Sequence, residues 1–136
     1  MESNESVGPA AVVIALGHVL GPEAFQGAQT LVLVDTHASP LLERATHVLP
    51  ARWFLEKAGT FTSHGRRVQR YGAVLEPRFE ACDEGEILSR LGAAAGVAGH
   101  DGAWDVRAAS KRLSEKVPAF EGIWLGSLDD QGALLK

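Results

Sequence analysis

Apolar residues along this chain fall first into short unbroken runs, then into alternation, then into helical spacing. The first run, Ala10–Leu16 (AAVVIAL), is continuously apolar and rich in β-branched residues, which predicts a strand buried on both faces. Gly17 stops it. Pro22, Glu23 and Ala24 suit a short helical turn, with Pro at an early helix position. Leu31 to Val34 is a second buried run, ended by Asp35. Ser39-Pro40 reads as an N-cap followed by Pro at the first helical position, opening a helix through about Ala45. His47, Val48 and Leu49 form a short third strand, closed by Pro50. Strand and helix in alternation is the rhythm of parallel α/β structure. Parallel sheets need cover on both faces, and this chain offers few helices to supply it.

The middle changes character. Residues 51–58 suit a helical turn, which Gly59 breaks through a positive φ or a need for close packing. Thr60 to Thr62 and Val68 to Tyr71 alternate like strands around Ser63-His64-Gly65, so a hairpin is expected. Pro77 begins a linker. Asp83 to Ala95 reads as a helix with Ile87, Leu88 and Leu91 on one face. Trp104 to Val117 reads as a second, with Val106, Ala109, Leu113 and Val117 at helical spacing and Pro118 as its stop. The last stretch, 119–136, is apolar in places but has no clear period, so it is either an exposed contact surface or packs back on the thin sheet. The expected fold is α/β: a partial Rossmann-like parallel sheet of about three strands, a β-hairpin and C-terminal helices. It occupies residues 10–136, after a polar, acidic lead-in at 1–9 that is expected to be disordered.

Composition narrows the function classes. A chain of 136 residues fits one domain, and 46% hydrophobic with 22% charged residues is ordinary globular composition. A net charge of -4 argues against a nucleic-acid binder. Cys82 is the single cysteine, so no disulfide can form within the chain and no iron–sulfur cluster can be held. No apolar run approaches the roughly 18 residues of a membrane span, and the first residues do not resemble a secretory signal. A cytoplasmic protein with no direct membrane insertion is expected. His18, His37, His47, His64 and His100 lack metal-ligand spacing, so no metal site is expected. Cys82 precedes a predicted helix N-terminus, which can activate a thiol, but a nucleophile would also need a positioned His.

Asp35 stands at the carboxyl end of a predicted parallel strand, where open α/β sheets bind ligands. A carboxylate there could accept hydrogen bonds from a base or ribose, or it could simply cap a turn. Gly17 and Gly21 bracket a loop that a phosphate could approach, but neither dinucleotide nor P-loop fingerprint is present, and plain turn glycines are the simpler reading. Glu56 and Arg66 could form an ion pair fixing loop geometry. Arg66, Arg67 and Arg70, with Arg52 and Lys57 nearby, form a basic cluster that could meet cofactor phosphates, an acidic partner or solvent. Trp53, Phe54, Trp104, Phe120 and Trp124 are expected to anchor a core or an interface.

The segment 31–70, LVLVDTHASPLLERATHVLPARWFLEKAGTFTSHGRRVQR, carries strand-Asp, then Val48-Leu49-Pro50, then Glu56 with Gly59-Thr60-Phe61, then Arg66 and Gln69, all without gaps. In that order and spacing it resembles molybdopterin oxidoreductases, whose corresponding segment runs strand-Asp, helix, ADVVLP, E-x-x-GTF, GR-x-Q. VVIALG at 12–17, GEILSRLGAAAG at 85–96 and VPAFEGIWLGSLDDQG at 117–132 extend the resemblance. The last of these is similar to the molybdopterin-oxidoreductase-like subunit of respiratory NADH:quinone oxidoreductase, an NADH dehydrogenase. Departures are equally plain. Ser39-Pro40-Leu41 stands where the family has T-E-T, Thr46 replaces the Asp of ADVVLP, and Ser63-His64 stands where N-x-E is usual.

That resemblance implies a scaffold or assembly domain related to the respiratory subunit, without catalysis of its own, inside an oxidoreductase assembly. Its partners would be other subunits of the complex or further copies of itself, and its place cytoplasmic, peripheral to the inner membrane through that complex. No cofactor is expected. The alternative is the molybdopterin-dinucleotide-binding part of a split molybdenum or tungsten oxidoreductase, in which Asp35, Arg66 and Gln69 would contact the cofactor. An independent small enzyme using Glu56 or Cys82 has no positive support in the residues.

Overall fold

The central strand of the parallel sheet, β2 (Ala28–Asp35), has neighbours on both sides, β1 (Ala10–Leu16) and β3 (His47–Pro50), in the order β1-β2-β3. The computed structural model describes residues 8–136, so all of the expected lead-in except Gly8 and Pro9 lies outside the described residues. The described residues divide into two compact units, one running up to Arg52 with Arg78–Glu84 added, the other Trp53–Pro77 with Gly85–Lys136.

In the first unit, each crossover is a single 3₁₀ turn, Pro22–Phe25 and Pro40–Glu43. The expected helix from Ser39 to about Ala45 is therefore much shorter. Pro40 starts it as anticipated, but Ser39 makes no side-chain cap. Each turn drops one large side chain, Phe25 or Leu41, onto a core with Ala15, Leu31 and Leu33, Leu33 being wholly buried. Crossovers between sequential parallel neighbours share a hand, so they fall on the same face of the sheet.

The opposite face explains a correction. The apolar run predicts β1 buried on both faces, yet Val12, Ile14 and Leu16 are 59%, 42% and 51% exposed, while Ala15 is buried. Neither 3₁₀ turn reaches that side, and β1 is an edge strand. An unbroken apolar run records that a strand is apolar, not that both faces are covered. Two polar side chains lock the crossovers to the sheet. The Arg44 guanidinium donates to the carbonyls of Phe25, Gln26 and Ala28 at 3.3–3.4 Å. Thr46 Oγ1 accepts the Leu31 amide at 3.2 Å. The outer edge of β3 is sealed at its carboxyl end, where Ala51 bridges to Cys82 and the Cys82 amide donates to the Pro50 carbonyl.

The second unit contains the expected hairpin, β4 (Gly59–Thr62) against β5 (Arg67–Tyr71), antiparallel, with Phe61 opposite Gln69. Gly59 is required by close packing: a Cβ there would come within 2.8 Å of the Tyr71 hydroxyl. A short sixth strand, β6 (Ala133–Leu134), adds to the other edge of β5. It is the ordered outcome of the segment that shows no period in the sequence. Gly132 makes it possible, with φ +70° and no room for a side chain above the Val68 carbonyl. Val68, Ile123 and Leu128 form the core, flanked by Phe120, Ala133 and Leu135, so this segment packs on the hairpin sheet of its own unit.

Helix α1 (Glu84–Ala94) lies where the apolar spacing puts it, with Ile87 buried. Helix α2 (Val106–Lys116) starts two residues later than expected, because Asp105 caps it, accepting from the Arg107 and Ala108 amides. Its packing face also differs. Leu113 and Val117 are 41% and 37% exposed, and Ser114 is the buried residue. Ser110 Oγ accepts the Leu125 amide, and Arg107 and Lys111 lie over the Trp124 ring. Serine, not an apolar residue, therefore marks the packed side of α2, which a search for apolar stripes does not detect. Replacing Leu33→Ala should cost about 2–5 kcal/mol of unfolding free energy, as expected for a large-to-small change at a fully buried site. Urea unfolding monitored by circular dichroism checks it, with the exposed-site change Val48→Ala as the small-effect control.

Candidate functional site

The carboxyl ends of β1 and β2 lie side by side because the strands are parallel and in register, Leu16 beside Val34. That register brings together two residues 17 positions apart. Gly17 leaves β1 with φ +76°, and the next residue, His18, turns its ring to Asp35 at the end of β2. His18 Nδ1 donates to Asp35 Oδ2 at 2.5 Å. The other oxygen, Oδ1, accepts the Thr36 amide at 2.7 Å and the His37 amide at 3.3 Å. Asp35 is thus both the expected strand-end carboxylate and the expected turn cap. Its side chain is 5% exposed, whereas that of His18 is 50% exposed.

Burial pushes the Asp35 carboxyl up. The His18 hydrogen bond, the two amides and the charge on His18 together outweigh it and hold the group below its ordinary value of 3.8. A carboxylate that already accepts three hydrogen bonds is an anchor within the fold. Sequence reasoning does not single out His18 as its partner. The available signal is positional: His18 follows the end of one parallel strand as Asp35 ends the next.

Beside this pair lies an open cleft of about 410 Å³, lined by Leu16, Gly17, Val34, Asp35, Thr36 and Glu84. Its charged lining residues are two carboxylates, with no Lys or Arg. Ligand clefts at strand carboxyl ends are where this class of sheet binds small molecules, and the chemistry here favours donors over anions.

Arg66 and Gln69 belong to the other compact unit. Arg66 sits in the hairpin turn with φ +60° and donates to the Lys136 carbonyl, while Glu56 accepts the Trp53 amide at 3.0 Å. The expected mates thus have other partners. Arg67 donates to the Gln131 carbonyl at 3.0 Å, and Arg70 pairs with Asp130 at 2.6 Å. Both members of that last pair are exposed, so it is worth about 0–1 kcal/mol. Gln69, exposed on β5, lies against Gly132. Arg66, Arg67 and Arg70 are therefore each held by residues 130–136, while Arg52 donates to the Ala81 carbonyl at 3.1 Å. A second open cleft, also of about 410 Å³, has Arg70, Tyr71, Gly72, Leu125 and Asp130 around it, its cation and anion already paired. Cys82 Sγ lies 3.6 Å from the Glu80 carbonyl. Among the described residues, no three of His, Cys, Asp and Glu converge as a metal site would require.

Two comparisons with known proteins bear on these residues. The family model for molybdopterin oxidoreductases matches residues 18–94. A stretch of 68 residues is 38% identical to the probable oxidoreductase YjgC of Bacillus subtilis (strain 168); it makes up 50% of this chain and 7% of that protein. The matched range begins at His18 and takes in Asp35, β2, β3, the hairpin and α1.

The group that such a family implies is a pterin dinucleotide bearing a diphosphate. A diphosphate calls for cations or a cluster of free backbone amides. The strand-end cleft supplies Asp35 and Glu84 instead, and the Thr36 and His37 amides already donate to Asp35. The described residues of this cleft do not fit the diphosphate.

Two measurements test the Asp35 arrangement. In His18→Ala, burial remains while the leading cause of lowering is gone, so the Asp35 carboxyl midpoint should rise, as read by carbon-detected NMR titration. The second concerns stability. A depressed carboxyl stabilises the fold above its unfolded value and loses that contribution as pH falls through the folded one. The wild-type advantage over Asp35→Asn should therefore be complete above about pH 4 and vanish below the lowered Asp35 value, as followed by urea unfolding at a series of acidic pH values.

Proposed function

The chain belongs to the molybdopterin oxidoreductase family, and from that premise we propose that it is a non-catalytic scaffold or assembly domain, of the kind carried by the molybdopterin-oxidoreductase-like subunit of respiratory NADH:quinone oxidoreductase. One observation carries the reading: the residues at the family's motif positions are held by the chain's own groups. Asp35 is held by His18 and two amides, and Arg66 by the Lys136 carbonyl. The motif's departures support it further. Thr46, in place of the usual Asp, is used to hold β2 through the Leu31 amide.

In this reading the protein passes no electrons and contributes packing surface. Its partners are the other subunits of an electron-transport complex or further copies of itself. Its location is cytoplasmic, peripheral to the inner membrane through that complex. None of its helices among the described residues is long and apolar enough to cross a membrane.

Native mass spectrometry of the protein, purified gently from its own source, tests the proposal. Co-purifying oxidoreductase subunits with no pterin mass on this chain are the expected result. A pterin dinucleotide bound to the chain in stoichiometric amount would overturn it. That outcome would make the protein the dinucleotide-binding part of a split molybdenum or tungsten oxidoreductase.

A further inference from the structure

The outer edge of β1 has no neighbour in the sheet among the described residues, whereas the outer edge of β3 is met by Cys82. The Gly17 amide donates to the Val34 carbonyl at 2.8 Å, toward β2. On β2 the main-chain groups of Leu31 and Asp35 face β3, so its even-numbered groups face β1. Main-chain groups alternate along β1 as well, and from Val12 on those of Val12, Ile14 and Leu16 point away from β2, although at the strand's start the Ala10 amide meets the Gly27 carbonyl. These are also the three side chains of β1 with large exposed apolar surface. Natural edge strands avoid pairing with other chains through lysines, prolines, bulges or brevity. β1 is seven residues long and contains no charge and no proline. Its composition and length offer none of these protections.

We propose that β1 pairs antiparallel with β1 of a second copy of this chain, about a twofold axis at Ile14. This deepens the assembly reading, on which it rests, by naming the partner. The argument for a second copy is self-complementarity. Antiparallel pairing centred on Ile14 sets Ile14 opposite itself and Val12 opposite Leu16. Every outward main-chain group of this central stretch then falls in a hydrogen-bonded pair. The same operation sets the exposed apolar side chains directly against one another, in β-branched and aliphatic cross-strand pairs. One symmetry axis satisfies both the main chain and the side chains, as an isologous interface requires. Because Ala10–Leu16 is uncharged, the approach of two identical strands meets no like-charge repulsion along the edge, although the chain as a whole carries -4.

Sedimentation equilibrium of the 136-residue chain, from 1 to about 100 micromolar, tests the pairing. The expected mass approaches twice 14.5 kDa at the upper concentrations. Ile14→Lys puts two ammonium groups opposite each other at the axis, and should raise the dissociation constant about tenfold or more. Val12→Lys should do so by a different pair, and circular dichroism shows whether each variant remains folded. Hydrogen exchange supplies the specific mark. The Val12, Ile14 and Leu16 amides should be protected in the dimer and exchange freely in Ile14→Lys. A wild-type chain that stays monomeric at about 100 micromolar overturns the pairing, as does a dimer that survives both folded variants. A monomer would still leave co-purifying subunits able to support the assembly reading, whereas a bound pterin would end that reading without altering the dimer.

Discussion

A crossover between parallel strands has to leave the sheet, travel back, and cover apolar surface on the way. In this chain each crossover manages this with a single 3₁₀ turn, so each brings one large side chain, Phe25 or Leu41, to the sheet. Because neighbouring strands follow one another in sequence, both deliver to the same side. Most of the first unit follows from this constraint. Leu31 and Leu33 are buried under those two residues, while Val12, Ile14 and Leu16 remain exposed on β1. Ala28, Leu31, Val32, Leu33 and Val34 are all buried on β2, the central strand.

Strand positions are readable because unbroken β-branched runs between Gly, Pro and Asp have few other solutions. β1 and β3 appear where Ala10–Leu16 and His47–Leu49 place them, and the hairpin follows from alternation around Ser63-His64-Gly65. What is not readable depends on contacts between residues distant in the chain. β6 exists because β5 offers an edge and Gly132 can approach the Val68 carbonyl. The packed face of α2 carries Ser114, which is buried, and Ser110, which accepts the Leu125 amide. The burial expected of β1 fails because an apolar run does not say how many faces are covered.

The candidate site shows the same division. Asp35 is legible as a strand-end carboxylate, since parallel topology puts such residues at a known place. Its partner His18 is not, because the link between them is the register of β1 on β2 and has no local sequence signature. Gln69 is marked only by family resemblance, and Arg66 by that and by the basic run it opens. Their surroundings come from β6 and the residues next to it, up to Lys136. Thr46 bonds the Leu31 amide and Asp35 bonds His18, both ties made within the fold.

Arg44 has a mechanical consequence. Its guanidinium, rooted just after the second crossover turn, reaches the carbonyls of Phe25, Gln26 and Ala28 at the exit of the first. An outward swing of either loop would lengthen or break those bonds. Arg44 thus couples the two connections, so that loosening of one is felt by the other.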